Sequence, residues 1–308
     1  MSGVLAGFAI VGAIIALGYV LARVGFLGTE AAFMLSKTAV LVATPALLFT
    51  TLAHADLAIV ASLPLLITTI ATLVVAALAL AASLLFKWGR RRSIIIVMAA
   101  AMVNSGNLGI PIATYVLGDA SFIAPTILFQ QLILVPLTII ALDMTDLRGS
   151  SSLGRRILKA MLNPVLVASL SGLAVAFFEI PIPEIVFEPF RLLGQFAVPA
   201  VLLSFGISLR GRGMSLRGPS APPVWTTALL KVIVHPALTF VLAHFVFGLD
   251  GQLVLAVTVC AALPAAQNVL AYATRYGTGV DVARDSVTLS TILSVPAVFV
   301  VVYLLTNI

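Results

Sequence analysis

Asn104-Ser105-Gly106-Asn107-Leu108-Gly109-Ile110-Pro111 interrupts one apolar run of the chain, and Pro264-Ala265-Ala266-Gln267-Asn268 interrupts another at a matching place in the second half. Polar, irregular backbone at membrane depth is tolerated only where it is buried in protein or lines a water-filled cavity. Interrupted spans in corresponding positions of two halves are the sequence mark of a secondary transporter's substrate site. The two stretches therefore predict a carrier whose fourth and ninth spans are broken helices.

The surrounding composition fits a bilayer. Of 308 residues 61% are hydrophobic and only 9% charged, with a mean hydropathy of +1.20, whereas soluble domains carry roughly 25% charged residues. The single cysteine, Cys260, leaves no disulfide framework and no thiolate metal site. No metal ligand set and no cofactor is expected, and sodium or proton coupling is left open. Runs of about 20 apolar residues, enough to cross a hydrocarbon core, fall at 4–22, 33–53, 57–86, 93–117, 120–142, 162–180, 189–209, 225–247, 252–275 and 283–305. The first lacks a basic n-region, so it reads as a mature helix rather than a signal peptide.

Fifteen of the seventeen Lys and Arg fall in odd-numbered connections, among them Arg23, Arg90, Arg91, Arg92, Arg155, Arg156, Arg210 and Arg217. The net charge of +6 is thus a topology signal rather than a nucleic-acid footprint. The positive-inside rule places the odd loops in the cytoplasm and both termini outside.

Sliding the chain by 160 residues lays Pro136 on Pro296, Asn107 on Gln267 and Ala113-Thr114 on Ala273-Thr274, and a shift of 154 lays Pro45-Ala46 on Pro199-Ala200. Five spans per unit is an odd number, so the halves cross the membrane in opposite senses, as inverted repeats do. The expected fold is an all-α polytopic membrane protein of ten transmembrane helices. Residues 1–142 form the first five-helix repeat, 143–161 a cytoplasmic linker and 162–308 the second.

Each break exposes new helix termini, with unpaired N–H groups and partial positive charge at one end and carbonyls at the other. Asn104, Asn107, Gln267 and Asn268 add amide donors and acceptors in the same gap, a set suited to a carboxylate. Pro111 and Pro264 remove backbone donors. Gly106 and Gly109 are expected to supply conformations closed to other residues and to let a ligand approach the backbone. Lys231 sits in the eighth span, where a bare cation costs roughly 2.5–3.5 kcal/mol, and His235 shares its helical face four residues on. Lys231 neutralises a substrate carboxylate, occupies an ion's place as the carrier moves, or snorkels toward the cytoplasmic end marked by Trp225.

These residues carry a family resemblance. The 104–111 element, the second break, Asn163-Pro164 opening the sixth span and Lys231-Val232-Ile233-Val234-His235-Pro236 in the eighth resemble the auxin efflux carrier family. That family includes bacterial malonate- and malate-type permeases and is related to the plant PIN carriers. The likeness covers essentially the whole chain, and the short connection between the fifth and sixth spans is similar to bacterial members. It implies the fold of bile-acid symporters and sodium/proton antiporters: a scaffold at 1–56 and 162–210, and a transport part at 57–142 and 225–308 that slides like an elevator. It also implies a homodimer through the scaffold, a bacterial inner-membrane location, and a substrate-facing glutamine in the fifth span, Gln130 or Gln131.

No Asp or Glu lies near either break, which disfavours carboxylate-based cation exchange. Neither a Gly-Xaa-Ser-Xaa-Gly element nor a His-Glu-Xaa-Xaa-His pair is present, so an enzyme is not expected. The reading is a secondary transporter of small organic anions. A sodium-coupled symporter of bile-acid type and a non-transporting membrane receptor are the alternatives.

Overall fold

Four prolines set the local geometry of the helices. A helical proline lacks an N–H and crowds the carbonyl four residues before it, and a wider π turn relieves that crowding. In the computed structural model, which describes residues 2–54, 63–145, 162, 164–210 and 216–306, five-residue π turns at Ala39–Ala43, Ser105–Gly109, Gln130–Leu134 and Leu230–Val234 each end two residues before a proline. These prolines are Pro45, Pro111, Pro136 and Pro236. Gln130, Lys231 and the 105–109 stretch thus all lie on widened turns.

The described residues are helical, with one isolated backbone bridge. In chain order the helices are α1 (Ser2–Arg23), α2 (Glu30–Leu52), α3 (Leu63–Leu85), α4 (Arg90–Ala101), α5 (105–117), α6 (120–145), α7 (Pro164–Phe177), α8 (Glu184–Ile207), α9 (Ala221–Val246), α10 (Gly251–Ala262), α11 (Asn268–Tyr276) and α12 (Val280–Leu305). Five of them, α2, α3, α8, α9 and α12, are long and apolar enough to cross a bilayer without interruption. The protein is a multi-pass membrane protein whose described residues form helices. The expected linker at 143–161 lies outside the described residues from 146 to 161.

The chain divides into two compact units. Unit 1 holds residues 1–62, 105–128 and 161–212, and unit 2 holds 63–104, 129–160 and 213–308. Residues 105–128, which the sequence division groups with the transport part, belong to unit 1 by their contacts. Within unit 1, α1 packs against α8 where Gly18 meets Gly206. A Cβ on Gly18 would stand 2.5 Å from the Leu203 carbonyl oxygen, and one on Gly206 would run into that of Ile15. Small residues that let backbones touch are how membrane helices gain packing without a hydrophobic drive. The Ser204 hydroxyl donates to the Ala32 carbonyl (2.7 Å), tying α8 to α2. A cavity of about 760 Å³ in this unit is lined by residues including Thr50, His54, Glu179, Glu184 and Arg191, and by none of the expected site residues.

Unit 2 buries an apolar core in which Ile95, Met98, Phe129, Leu142, Val269 and Val287 meet. At one end, Arg91 donates to the Tyr276 carbonyl (3.0 Å), and Arg92 donates to Ser220 (2.7 Å) and to Asp281 (3.1 Å). Ser220 also bonds Asp281. The N-termini of α4, α9 and α12 and the C-terminus of α11 are thereby gathered at one end of the unit.

Candidate functional site: a crossing of two broken helices

Helix α4 stops at Ala101, and Met102 already has an extended backbone (φ −78°, ψ 128°). Helix α10 stops at Ala262, with Leu263 likewise extended (φ −60°, ψ 150°). The two interruptions meet: Val103 and Ala265 form an antiparallel bridge. The Asn104 N–H donates to the Pro264 carbonyl (2.8 Å), and the Ala266 N–H donates to the Met102 carbonyl (3.1 Å). Both bonds lie beside the Val103/Ala265 pair, which makes it the non-hydrogen-bonded kind, whose own N–H groups point away from the partner strand.

Each of those outward N–H groups finds a side chain. Val103 donates to Gln130 Oε1 (2.8 Å), and Ala265 donates to Ser290 Oγ (3.1 Å). The Ser290 hydroxyl itself donates to the Val287 carbonyl (3.2 Å), so it serves both ways at once. Gln130 in α6 and Ser290 in α12 are 160 residues apart, the offset that superposes Pro136 on Pro296. In a buried joint, where an unpaired backbone group costs about 1–3 kcal/mol, the N–H groups of residues 103, 104, 265 and 266 are all satisfied.

The joint lies slightly earlier than the sequence motif suggests. Residues 105–109 are helical, Gly109 has ordinary helical angles (φ −65°, ψ −48°), and Pro111 occupies the first turn of the following segment. The conformational freedom expected of Gly106 and Gly109 is therefore unused, since neither has a positive φ. The chain turns instead at Met102–Asn104, where strand pairing rather than glycine sets the backbone. No neighbouring atom lies within 4 Å of a Cβ built on Gly106. Glycine works harder at the far end of α5, where Gly118 (φ +89°) closes the helix in a left-handed cap.

The side chains of the expected site distribute as follows. Asn104 and Gln130 are buried at the crossing, Gln131 is half-buried, and Pro264 supplies its carbonyl. Gln267 is half-buried and Asn268, at the start of α11, is exposed. Gly106, Asn107, Gly109 and Pro111 belong to unit 1, and the Asn107 side chain lies outside the described residues. Lys231 and His235 form a pair of their own in unit 2: Nζ lies 3.0 Å from Nδ1, and His235 Nε2 lies 3.3 Å from Thr72 Oγ1 on α3. Lys231 is fully buried (0%) rather than snorkelled. Ser290 and Thr72 were not legible as functional from their residue types. The 160-residue offset from Gln130 was the one available signal, and it points to Ser290 alone.

A profile of the family described as "Membrane transport protein" matches residues 4–155 and again 148–302. This chain belongs to that family, the auxin efflux carriers. Among curated members, an "Uncharacterized transporter" of Methanothermobacter thermautotrophicus is 29% identical over 289 residues, covering 91% of each chain. A "Putative malonate transporter" of Rhizobium meliloti is 27% identical over 307 residues, covering 95% of this chain and 92% of that one. Family and relatives are transporters, and this auxin efflux carrier family member is a membrane transport protein.

Proposed function

We propose that the protein is a secondary transporter of small carboxylates, with the crossing of the two broken helices as its substrate site. The observation that carries this reading is the backbone accounting at the crossing. With the N–H groups of residues 103, 104, 265 and 266 paired within the protein, the amides of Asn104 and Gln267 and the N-terminal end of α11 at Asn268 are the proposed contacts for the anion. Gln131 completes the proposed set, while Gln130 and Pro264 hold the backbone. The named function of the Rhizobium relative supports a carboxylate substrate and makes malonate the first probe.

The fold proposed for this activity is ten spans in two inverted repeats, supported by the paired family matches and by the equivalent bonds of Gln130 and Ser290. A transport part at 57–142 and 225–308 slides against a scaffold at 1–56 and 162–210, which also carries the dimer contact. The odd, arginine-rich loops face the cytoplasm of a bacterial inner membrane, with both termini outside. The test is malonate counterflow in proteoliposomes. Labelled malonate entering vesicles preloaded with unlabelled malonate, and failing to do so with Gln267→Ala, supports the site. Undiminished exchange by Gln267→Ala and Asn104→Ala together would remove the crossing from the substrate path.

A further inference from the structure

Lys231 is a buried basic side chain. Among the described residues no acidic group lies within ion-pair distance of it, and its hydrogen bond goes to an imidazole. The segment carrying it packs against α3, α4, α10 and α12. Helix α3 brings no titratable group, and α10 brings only Cys260. Helix α4 brings Arg90, Arg91 and Arg92, and α12 brings Asp281, Arg284, Asp285 and Tyr303. The two carboxylates on α12 are already engaged, Asp281 by Arg92 (3.1 Å) and Asp285 by Arg284 (2.8 Å).

The cluster is built to hold either of two proton counts. If Lys231 is an ammonium, Nζ donates to Nδ1, the imidazole proton sits on Nε2, and Nε2 donates to Thr72. If one proton leaves, Nδ1 donates to the amine, and Nε2 accepts from Thr72. A threonine hydroxyl donates or accepts with equal ease, so both hydrogen bonds survive the change. Only the doubly charged pair, ammonium facing imidazolium, loses the bond between Nζ and Nδ1.

The cluster also lies at the depth of the crossing. Ser220 and Asp281 join the N-terminal ends of α9 and α12, and Thr227 Oγ1 meets Ser286 Oγ at 2.7 Å, so these two helices run parallel. One turn further, about 5.4 Å along, Lys231 comes level with Ser290, the residue that holds Ala265. A negative guest at the crossing favours the protonated form of a neighbouring cluster, and by linkage the proton favours the guest equally.

We propose that Lys231, His235 and Thr72 form a proton-binding site that takes up one proton as the carboxylate binds, making the proton the coupling ion. This rests on the reading of the crossing as a carboxylate site. The test is calorimetric titration of the purified full-length protein with malonate, in two buffers of equal pH and different ionisation heat, repeated between pH 6 and 8. The wild type is expected to take up a maximum of about one proton per malonate bound, and His235→Gln and Thr72→Val to lose most of that uptake. Binding heat that is identical in both buffers throughout would overturn the proton site while leaving the carboxylate site standing. Uptake that persists in both variants would place the proton elsewhere and overturn it too. Absence of any binding heat from the wild type would overturn the carboxylate reading, and this one with it.

Discussion

The two breaks share almost no side chains, yet they solve the same problem in the same way. The first is Met102-Val103-Asn104, flanked by an amide and glycine-rich stretch; the second is Leu263-Pro264-Ala265-Ala266, with no glycine at all. Each contributes one donor and one acceptor to the paired strands, and each sends its outward N–H to the second helix after it in sequence. The acceptor is a long amide in one half and a short hydroxyl in the other. What the halves hold in common is the backbone's requirement for an acceptor at one place, and the side chain that meets it varies with the distance to be spanned.

The largest effect is expected from Gln130→Leu. It keeps the volume but strands the Val103 N–H in a buried site, at a cost of about 1–3 kcal/mol, and malonate counterflow should fall more than tenfold with a lowered Tm. Gln130→Glu retains an acceptor and should recover a substantial part of both. Equal damage from Leu and Glu would show that the side chain serves something other than Val103.

Ser290→Ala makes the corresponding cut in the other half. Its bond is longer, 3.1 Å against 2.8 Å, so a smaller loss of Tm is expected than for Gln130→Leu, with Ser290→Thr restoring it. A Ser290→Ala protein with unchanged Tm and counterflow would break the equivalence of the two breaks. The smallest effect on stability is expected from Asn104→Ala, because the strand bond at that residue is made by its backbone. The malonate KM should rise roughly tenfold, about 1.4 kcal/mol of binding, with little change in Tm. A large drop in Tm at unchanged KM would make Asn104 a structural amide.

Much of this architecture was legible from composition and periodicity. The interrupted spans, the apolar helices on either side and the clustering of Arg91 and Arg92 at one helix end all follow from hydropathy and charge. The position of the joint did not, because Met102 and Val103 are apolar residues that read as more helix, and only pairing with residues 264–266 makes them extended. Glycine drew attention to 106 and 109, where the backbone proves helical. Ser290 was hidden for a different reason: a serine in an apolar helix ordinarily bonds back to its own preceding turn, as Ser290 also does toward Val287. The Lys231–His235 spacing showed that the two share a face, whereas the Thr72 contact comes from a helix about 160 residues away and has no local sequence signature.

The central claim is that the two interruptions, at Met102–Asn104 and Leu263–Ala266, lie against each other. In a non-hydrogen-bonded antiparallel pair the Cα atoms stand about 4.5 Å apart, within the range a disulfide spans. The direct measurement is oxidation of Val103→Cys/Ala265→Cys in a Cys260→Ala background, read by intact mass and by the linkage of peptides from the two halves. The account predicts a near-complete intramolecular disulfide with loss of about 2 Da, absent from either single variant. Two free, alkylatable thiols in the folded double variant after oxidation would contradict it.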